Sequence, residues 1–155
     1  MAAGDADSDV VTKDELEAEA ARLADEVRRA APAGHAAVIA LSGDLGSGKT
    51  TFAQAFARAL GIEAHVTSPT FVIEKRYPVP QAGKHAFRTF VHVDAYRLDD
   101  PKELAQLGWH GTIDDPSNIV LIEWADKVAS LLPDDAYRIA LAFRDERTRT
   151  LTYGD

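Results

Sequence analysis

The sequence contains no cysteine. That excludes disulfides, thiolate metal sites and a cysteine nucleophile, without by itself naming a compartment. No apolar run approaches the roughly 20 residues needed to cross a bilayer. The first segment, Met1 to Asp9, is small and acidic, whereas secretory and transit peptides start basic, apolar or arginine-rich. It therefore reads as a disordered leader ahead of a single domain over residues 10–155. Repeats, low-complexity tracts and a second domain are missing as well. A basic excess is also lacking: 25 acidic residues stand against 17 basic ones, for a net charge of -8. Binding to a phosphate backbone is largely electrostatic, so a chain of this sign is a poor autonomous ligand for DNA or RNA. Any nucleic acid in its biology would be held mainly by another protein. The 155 residues, 46% hydrophobic and 27% charged, suit one domain with a continuous core. No membrane attachment is expected, and the cytoplasm is the default location.

Periodicity supplies the elements. Thr12-Lys13-Asp14-Glu15 has the form of a capping box, in which the Thr and Glu side chains satisfy free backbone donors at a helix start. Leu16, Ala20, Leu23 and Val27 then fall on one helical face up to about Arg29, and Ala31-Pro32-Ala33-Gly34 ends that helix. Ala36 to Leu41 is apolar at every position, as in a strand buried on both sides of a parallel sheet. Thr51 to Leu60 reads as a helix with Phe52, Phe56 and Leu60 in one stripe, closed by Gly61. Phe71 to Val79 and His85 to Asp94 read as two strands of a hairpin turning at Gln81 to Lys84. A short helix starts at Asp100-Pro101-Lys102-Glu103. Ile119 to Ile122 is a second wholly apolar strand, and Tyr137 to Phe143 with Thr148 to Tyr153 forms a closing antiparallel hairpin. The implied fold is α/β: central parallel strands and antiparallel hairpins in one mixed sheet flanked by helices.

Between the first apolar strand and the second helix lies Gly43-Asp44-Leu45-Gly46-Ser47-Gly48-Lys49-Thr50, a complete phosphate-binding loop. Its glycines admit torsions closed to other residues and let the amide N–H groups of Asp44, Leu45, Gly46, Ser47 and Gly48 face one anion. Lys49 would reach the β- and γ-phosphates, and the Thr50 hydroxyl would ligate Mg²⁺. The helix that follows adds the positive end of its dipole.

Such a site needs a carboxylate at the end of a neighbouring strand to hold the metal. Glu123, after Ile119 to Ile122, is the first choice, because a strand apolar throughout belongs beside the loop's own strand. Asp94, at the end of Phe90 to Val93, is second, as an outer-sphere ligand or a group positioning water. Thr67-Ser68-Pro69-Thr70 is either a phosphate-sensing switch or an ordinary hydroxyl-rich turn. His92 and Trp124 also have two readings. One is core or strand-end packing; the other has Trp124 against the nucleotide and His92 orienting Asp94. Arg97 is a phosphate or partner contact, or simply a surface charge.

Taken in order, Gly43 to Phe52, Ser68-Pro69-Thr70-Phe71, His92-Val93-Asp94-Ala95-Tyr96-Arg97-Leu98 and Glu123-Trp124-Ala125-Asp126 resemble the bacterial TsaE (formerly YjeE) family. The resemblance runs from about Val10 to the C-terminus. It implies a small ATPase of the pathway that places threonylcarbamoyladenosine next to the anticodon in tRNAs reading codons that start with A. On this resemblance the protein would not transfer the group itself. It would join a TsaD–TsaB core and, by binding and hydrolysing ATP with Mg²⁺, let that core turn over. Contact with tRNA would be indirect. Lys49, Thr50 and Thr51 would then serve phosphate and metal, and Glu123 would bind Mg²⁺. Asp94 would support hydrolysis or relay nucleotide state, and Trp124 would help shape the site. In the family the segment before the first helix and the Arg144 to Arg149 turn contribute to the adenine site, and no residue here is matched to a base contact.

Two other functions compete. A small-molecule P-loop kinase would be expected to carry an arginine-bearing lid, yet residues 108–118 contain neither arginine nor lysine. A GTPase would carry the guanine-reading Asn-Lys-x-Asp tetrapeptide, which is absent, so ATP is favoured over GTP.

Overall fold

A computed structural model describes residues 8–30, 33–63, 66, 74–80 and 87–154. Seven strands form one sheet: β1 (Ser8–Thr12), β2 (Ala37–Ser42), β3 (Glu74–Pro78), β4 (Thr89–Asp94), β5 (Asn118–Glu123), β6 (Tyr137–Phe143) and β7 (Thr148–Gly154). Their spatial order is β1-β7-β6-β2-β5-β4-β3. The pairs β6–β2, β2–β5 and β5–β4 are parallel, while β1–β7, β7–β6 and β4–β3 are antiparallel. The apolar strands β2 and β5 are thus neighbours at the centre, where both faces must be covered. Every residue of β5 is buried.

Among the described residues, four helices and a 3-10 segment cover the two faces: α1 (Lys13–Arg29), α2 (Lys49–Ala59), α3 (Pro101–Gln106), α4 (Trp109–Asp114) and the segment Ala125–Leu131. Alternation along the strands sorts the core into two layers. Ile39, Leu41, Ile119, Leu121 and Phe90 face α1 and α2, where they meet Leu16, Leu23, Phe52 and Phe56. Val38, Ala40, Val91, Val93, Val120 and Ile122 face the other way and meet Leu104, Trp109 and Val128. The Phe56 and Phe90 rings, both fully buried, lie 5.9 Å apart. Burying a side chain of this size contributes about 1.5–3 kcal/mol.

Local chemistry sets the helix ends. The capping box at α1 forms in full: Glu15 N donates to Thr12 Oγ1 at 3.2 Å, and Thr12 N donates to Glu15 Oε1 at 3.0 Å. At α3, the Asp100 side chain accepts from Lys102 N and Pro101 opens the helix. Helix α2 starts at Lys49, two residues before the expected Thr51, because the last turn of the glycine loop runs straight into it.

Other boundaries depart from expectation. Ser8 and Asp9, assigned to the leader, belong to β1 and pair with Thr152 and Leu151. Only Val11 of this edge strand is buried, so no alternation marks it in the sequence. Residues 108–118 contain α4, entered through Gly108 at φ 86°. The hairpin turn Gln81 to Lys84 and the Thr67 to Thr70 segment lie outside the described residues. Among the described residues no helix is long and apolar enough to cross a membrane.

Candidate functional site

The glycine loop leaves β2 at Ser42 and enters α2 at Lys49. Two of its glycines are required by geometry. Gly43 has φ 146°, and a Cβ there would lie 2.2 Å from the Leu141 carbonyl oxygen. Gly48, at φ 103°, would bring a Cβ to 3.0 Å from Leu16 Cδ2. The loop is therefore pressed between β6 and α1 with no space for a side chain at either end. Within it, Ser47 N donates to the Asp44 carbonyl at 3.1 Å.

The loop curls around the Lys49 side chain. Nζ donates to the carbonyl of Gly43, to that of Asp44 at 2.8 Å and to Ser47 Oγ at 3.2 Å. It also sits 4.2 Å above the Trp124 ring, a favourable cation–π placement. Burial pushes the Lys49 ammonium below its ordinary value, and the carboxylates of Glu123, Asp94, Asp44 and Asp126 pull it back. A lysine with three loop acceptors is thereby held at the mouth of a cleft with acidic walls.

Sheet register supplies the acids. Glu123 pairs with Leu41 of the loop's own strand and with Asp94 on the other side. Both carboxylates thus stand side by side at the carboxyl ends of parallel strands, where open α/β sheets bind their ligands. Alternation turns them toward the α2 face. Glu123 is 2% exposed and Asp94 3%. Thr50, in the first turn of α2, donates from Oγ1 to Glu123 Oε1 at 3.3 Å. Asp94 Oδ1 accepts from Tyr96 N at 2.9 Å, which closes a tight turn after β4.

Of the two readings of His92, the structure gives it the burial of a core residue and a partner other than Asp94. Its Nε2 lies 2.6 Å from Glu123 Oε2, since the diagonal across the parallel pair β4–β5 brings residue 92 to residue 123. Trp124 is the sole non-glycine with positive φ among the described residues, at φ 60° and ψ 39°. This left-handed torsion costs a bulky residue about 1–2 kcal/mol and turns the indole back over the cleft. The Tyr96 ring packs 5.0 Å from it. Lys127 caps the outer side, donating to the Tyr96 carbonyl at 2.5 Å with Nζ 5.2 Å from the Tyr96 ring.

The cleft measures 430 Å³, and its lining includes Leu45 through Thr51, Asp94, Glu123 and Trp124. Of the expected site residues, Asp44 is exposed and outside the lining, contributing its carbonyl to Lys49. Leu45 is 73% exposed at the rim. Arg97 is exposed and outside the lining. Two further lining residues, Tyr96 and Arg149, appear in the sequence reading only as members of the His92 to Leu98 motif and the Arg144 to Arg149 turn, with no role of their own. Arg149 Nε donates to the Gly46 carbonyl at 2.8 Å, and Nη1 donates to the Asp145 and Thr148 carbonyls. Its guanidinium lies 4.7 Å from the Phe143 ring. An arginine near the start of a hairpin strand carries no local signature; only the β1–β7–β6 register brings it to the loop.

The donor set suits a small hard cation. Among the described residues no three His, Asp or Glu side chains form a metal cage. A hydroxyl and one carboxylate oxygen 3.3 Å apart instead leave most coordination positions to phosphate and water, as Mg²⁺ requires.

Comparison with known proteins agrees with this arrangement. The family model described as threonylcarbamoyl adenosine biosynthesis protein TsaE matches residues 12–151. A Bacillus subtilis protein named tRNA threonylcarbamoyladenosine biosynthesis protein TsaE is 39% identical over 119 residues, covering 74% of this chain and 68% of its own length. Proteins of the same name from Haemophilus influenzae and Treponema pallidum are 35% and 33% identical, covering 72% and 74% of this chain and 66% and 79% of their own. The crystal structure of YdiB from Bacillus subtilis superposes with a TM-score of 0.64 at 29% identity, over 95% of this chain and 84% of that one. A P-loop domain with its acids beside the loop strand, matched over nearly its whole length, belongs to the TsaE family.

Proposed function

We propose that this protein is a Mg²⁺-dependent ATPase that acts as an accessory in forming threonylcarbamoyladenosine next to the anticodon of tRNA. It works on a TsaD–TsaB-type core in the cytoplasm, hydrolyses slowly alone and faster with that partner, and leaves most tRNA contact to it. The observation that carries this reading is the Thr50–Glu123 contact at 3.3 Å beside a buried Lys49. It joins the start of the phosphate helix to the strand-end acid that a nucleotide-bound metal needs.

In this reading the chain's residues have separate tasks. The amides of residues 44–48 and the N-terminus of α2 receive the phosphates. Lys49 exchanges the carbonyls of Gly43 and Asp44 for phosphate oxygens, which relieves the burial of its charge. Thr50 and Glu123 would hold Mg²⁺, which would supply positive charge to the phosphate oxygens. Asp94 orients the attacking water and takes up its proton. Trp124 and Tyr96 wall the site and limit entry of further water, with Thr51 completing the phosphate contacts.

The net charge of -8 supports a protein partner in preference to direct binding of tRNA. The kinase alternative loses ground in α4, where Trp109 and Thr112 are buried against the sheet instead of covering the cleft. Phosphate release from ATP and GTP, measured alone and with TsaD–TsaB partners, tests the proposal. Partner-stimulated ATP hydrolysis is expected; efficient transfer of the phosphoryl group to a small acceptor would overturn it.

A further inference from the structure

The tasks assigned above leave unused a buried polar group that touches Glu123, the imidazole of His92. It is 0% exposed, and its ring lies 6.1 Å from that of Phe90. Nε2 lies 2.6 Å from Glu123 Oε2, and Nδ1 has no hydrogen-bond partner among the described residues. A fully buried imidazole in an apolar layer costs free energy unless its contacts return it. Here it makes one, and that one is short and directed at the carboxylate on which the metal reading depends.

The two oxygens of Glu123 are thereby divided. Oε2 is occupied by Nε2–H, and Oε1 faces Thr50 Oγ1 at 3.3 Å. A carboxylate end-group otherwise turns freely about its last torsion, presenting either oxygen or both. Anchoring one oxygen selects a single orientation and a single free acceptor. We infer that His92 is a positioning residue for Glu123, holding Oε2 so that Oε1 alone, aligned with the Thr50 hydroxyl, is offered to Mg²⁺. The inference rests on the proposed metal role of Glu123. It differs from the sequence reading in which His92 orients Asp94. Partners that orient a ligating carboxylate in this way commonly govern metal affinity by 10–100-fold.

The test is nucleotide binding without turnover, followed with a fluorescent ATP analogue in EDTA and across a Mg²⁺ titration. His92→Leu and His92→Met remove the donor while keeping the ring's volume approximately filled. His92→Gln restores an N–H donor at similar reach. For His92→Leu, the Mg²⁺ concentration at half-effect is expected to rise about 10-fold or more, with metal-free binding unchanged. His92→Gln is expected to return most of the way to wild type. If His92→Leu does not fold, His92→Met makes the same comparison. A folded Leu or Met variant with a wild-type Mg²⁺ dependence overturns the inference, as does a Gln variant no better than Leu. Wild-type binding that ignores Mg²⁺ overturns the proposed function together with it.

Discussion

Replacing Glu123 by glutamine changes one oxygen to nitrogen and tests the site at its centre. The side chain is 2% exposed, so the amide has little freedom to choose its surroundings. With the imidazole proton on Nε2, His92 at 2.6 Å requires an acceptor opposite it. The carbonyl oxygen of the new amide must take that place, because the reverse orientation would set N–H against N–H. The NH₂ group then faces Thr50 Oγ1 and the cleft, presenting a donor where a cation needs an oxygen. The His92 contact survives, so unfolding free energy is expected to change by no more than about 1.5 kcal/mol. The loop amides and Lys49 are untouched, so ATP binding in EDTA should change little. Turnover is expected to fall by about 10²–10³-fold, or about 2.7–4 kcal/mol, as when a preorganised charge-stabilising group is lost. Phosphate release with and without the partner complex, across a Mg²⁺ titration, measures this directly. Glu123→Gln turning over within about threefold of wild type, with the same Mg²⁺ requirement, would refute the assignment of this carboxylate.

Lys49→Met should abolish ATP hydrolysis, and its effect on stability should depend on pH. Burial lowers the Lys49 pKa below 10.5, so the unfolded chain holds more protons than the folded one between those values. Stability of the wild type therefore rises across that window. Any advantage of Lys49→Met in thermal unfolding at neutral pH should shrink as pH approaches 10.5. Among the loop glycines, Gly43→Ala meets the Leu141 carbonyl and should cost more than about 3 kcal/mol in urea unfolding. Gly46→Ala, with nothing within 4 Å of its Cβ, should cost only about 1–2 kcal/mol, from its left-handed torsion; equal losses would disprove the steric argument. Thr12→Ala removes the α1 capping box and should lower stability by about 1 kcal/mol without altering ATP affinity, as checked by urea unfolding beside nucleotide titration.

The sequence alone determined the features that depend on near neighbours along the chain. The spacing of Leu16, Ala20, Leu23 and Val27 defined α1, and Thr12 and Glu15 marked its start. The unbroken apolar runs of β2 and β5 identified them as the central strands, and the glycines before Lys49 identified the loop between strand and helix. The place of Glu123 at the end of a strand beside β2 was legible for the same reason, since a strand apolar on both faces suits the interior of the sheet. What the tertiary structure decided are the relations set by register and crossing. Local pattern offered His92 either a place in the core or Asp94, two residues away; the pairing of β4 with β5 buries it and gives it to Glu123, 31 residues away. Arg149 reaches Gly46 across 103 residues, and β1 exists only because β7 offers it an edge. Trp124 shows the limit most plainly, for the left-handed turn that carries its ring over Lys49 is imposed by packing and opposes the residue's own preference. Periodicity reports which face of an element is buried, but it carries no record of which residue of another element lies opposite.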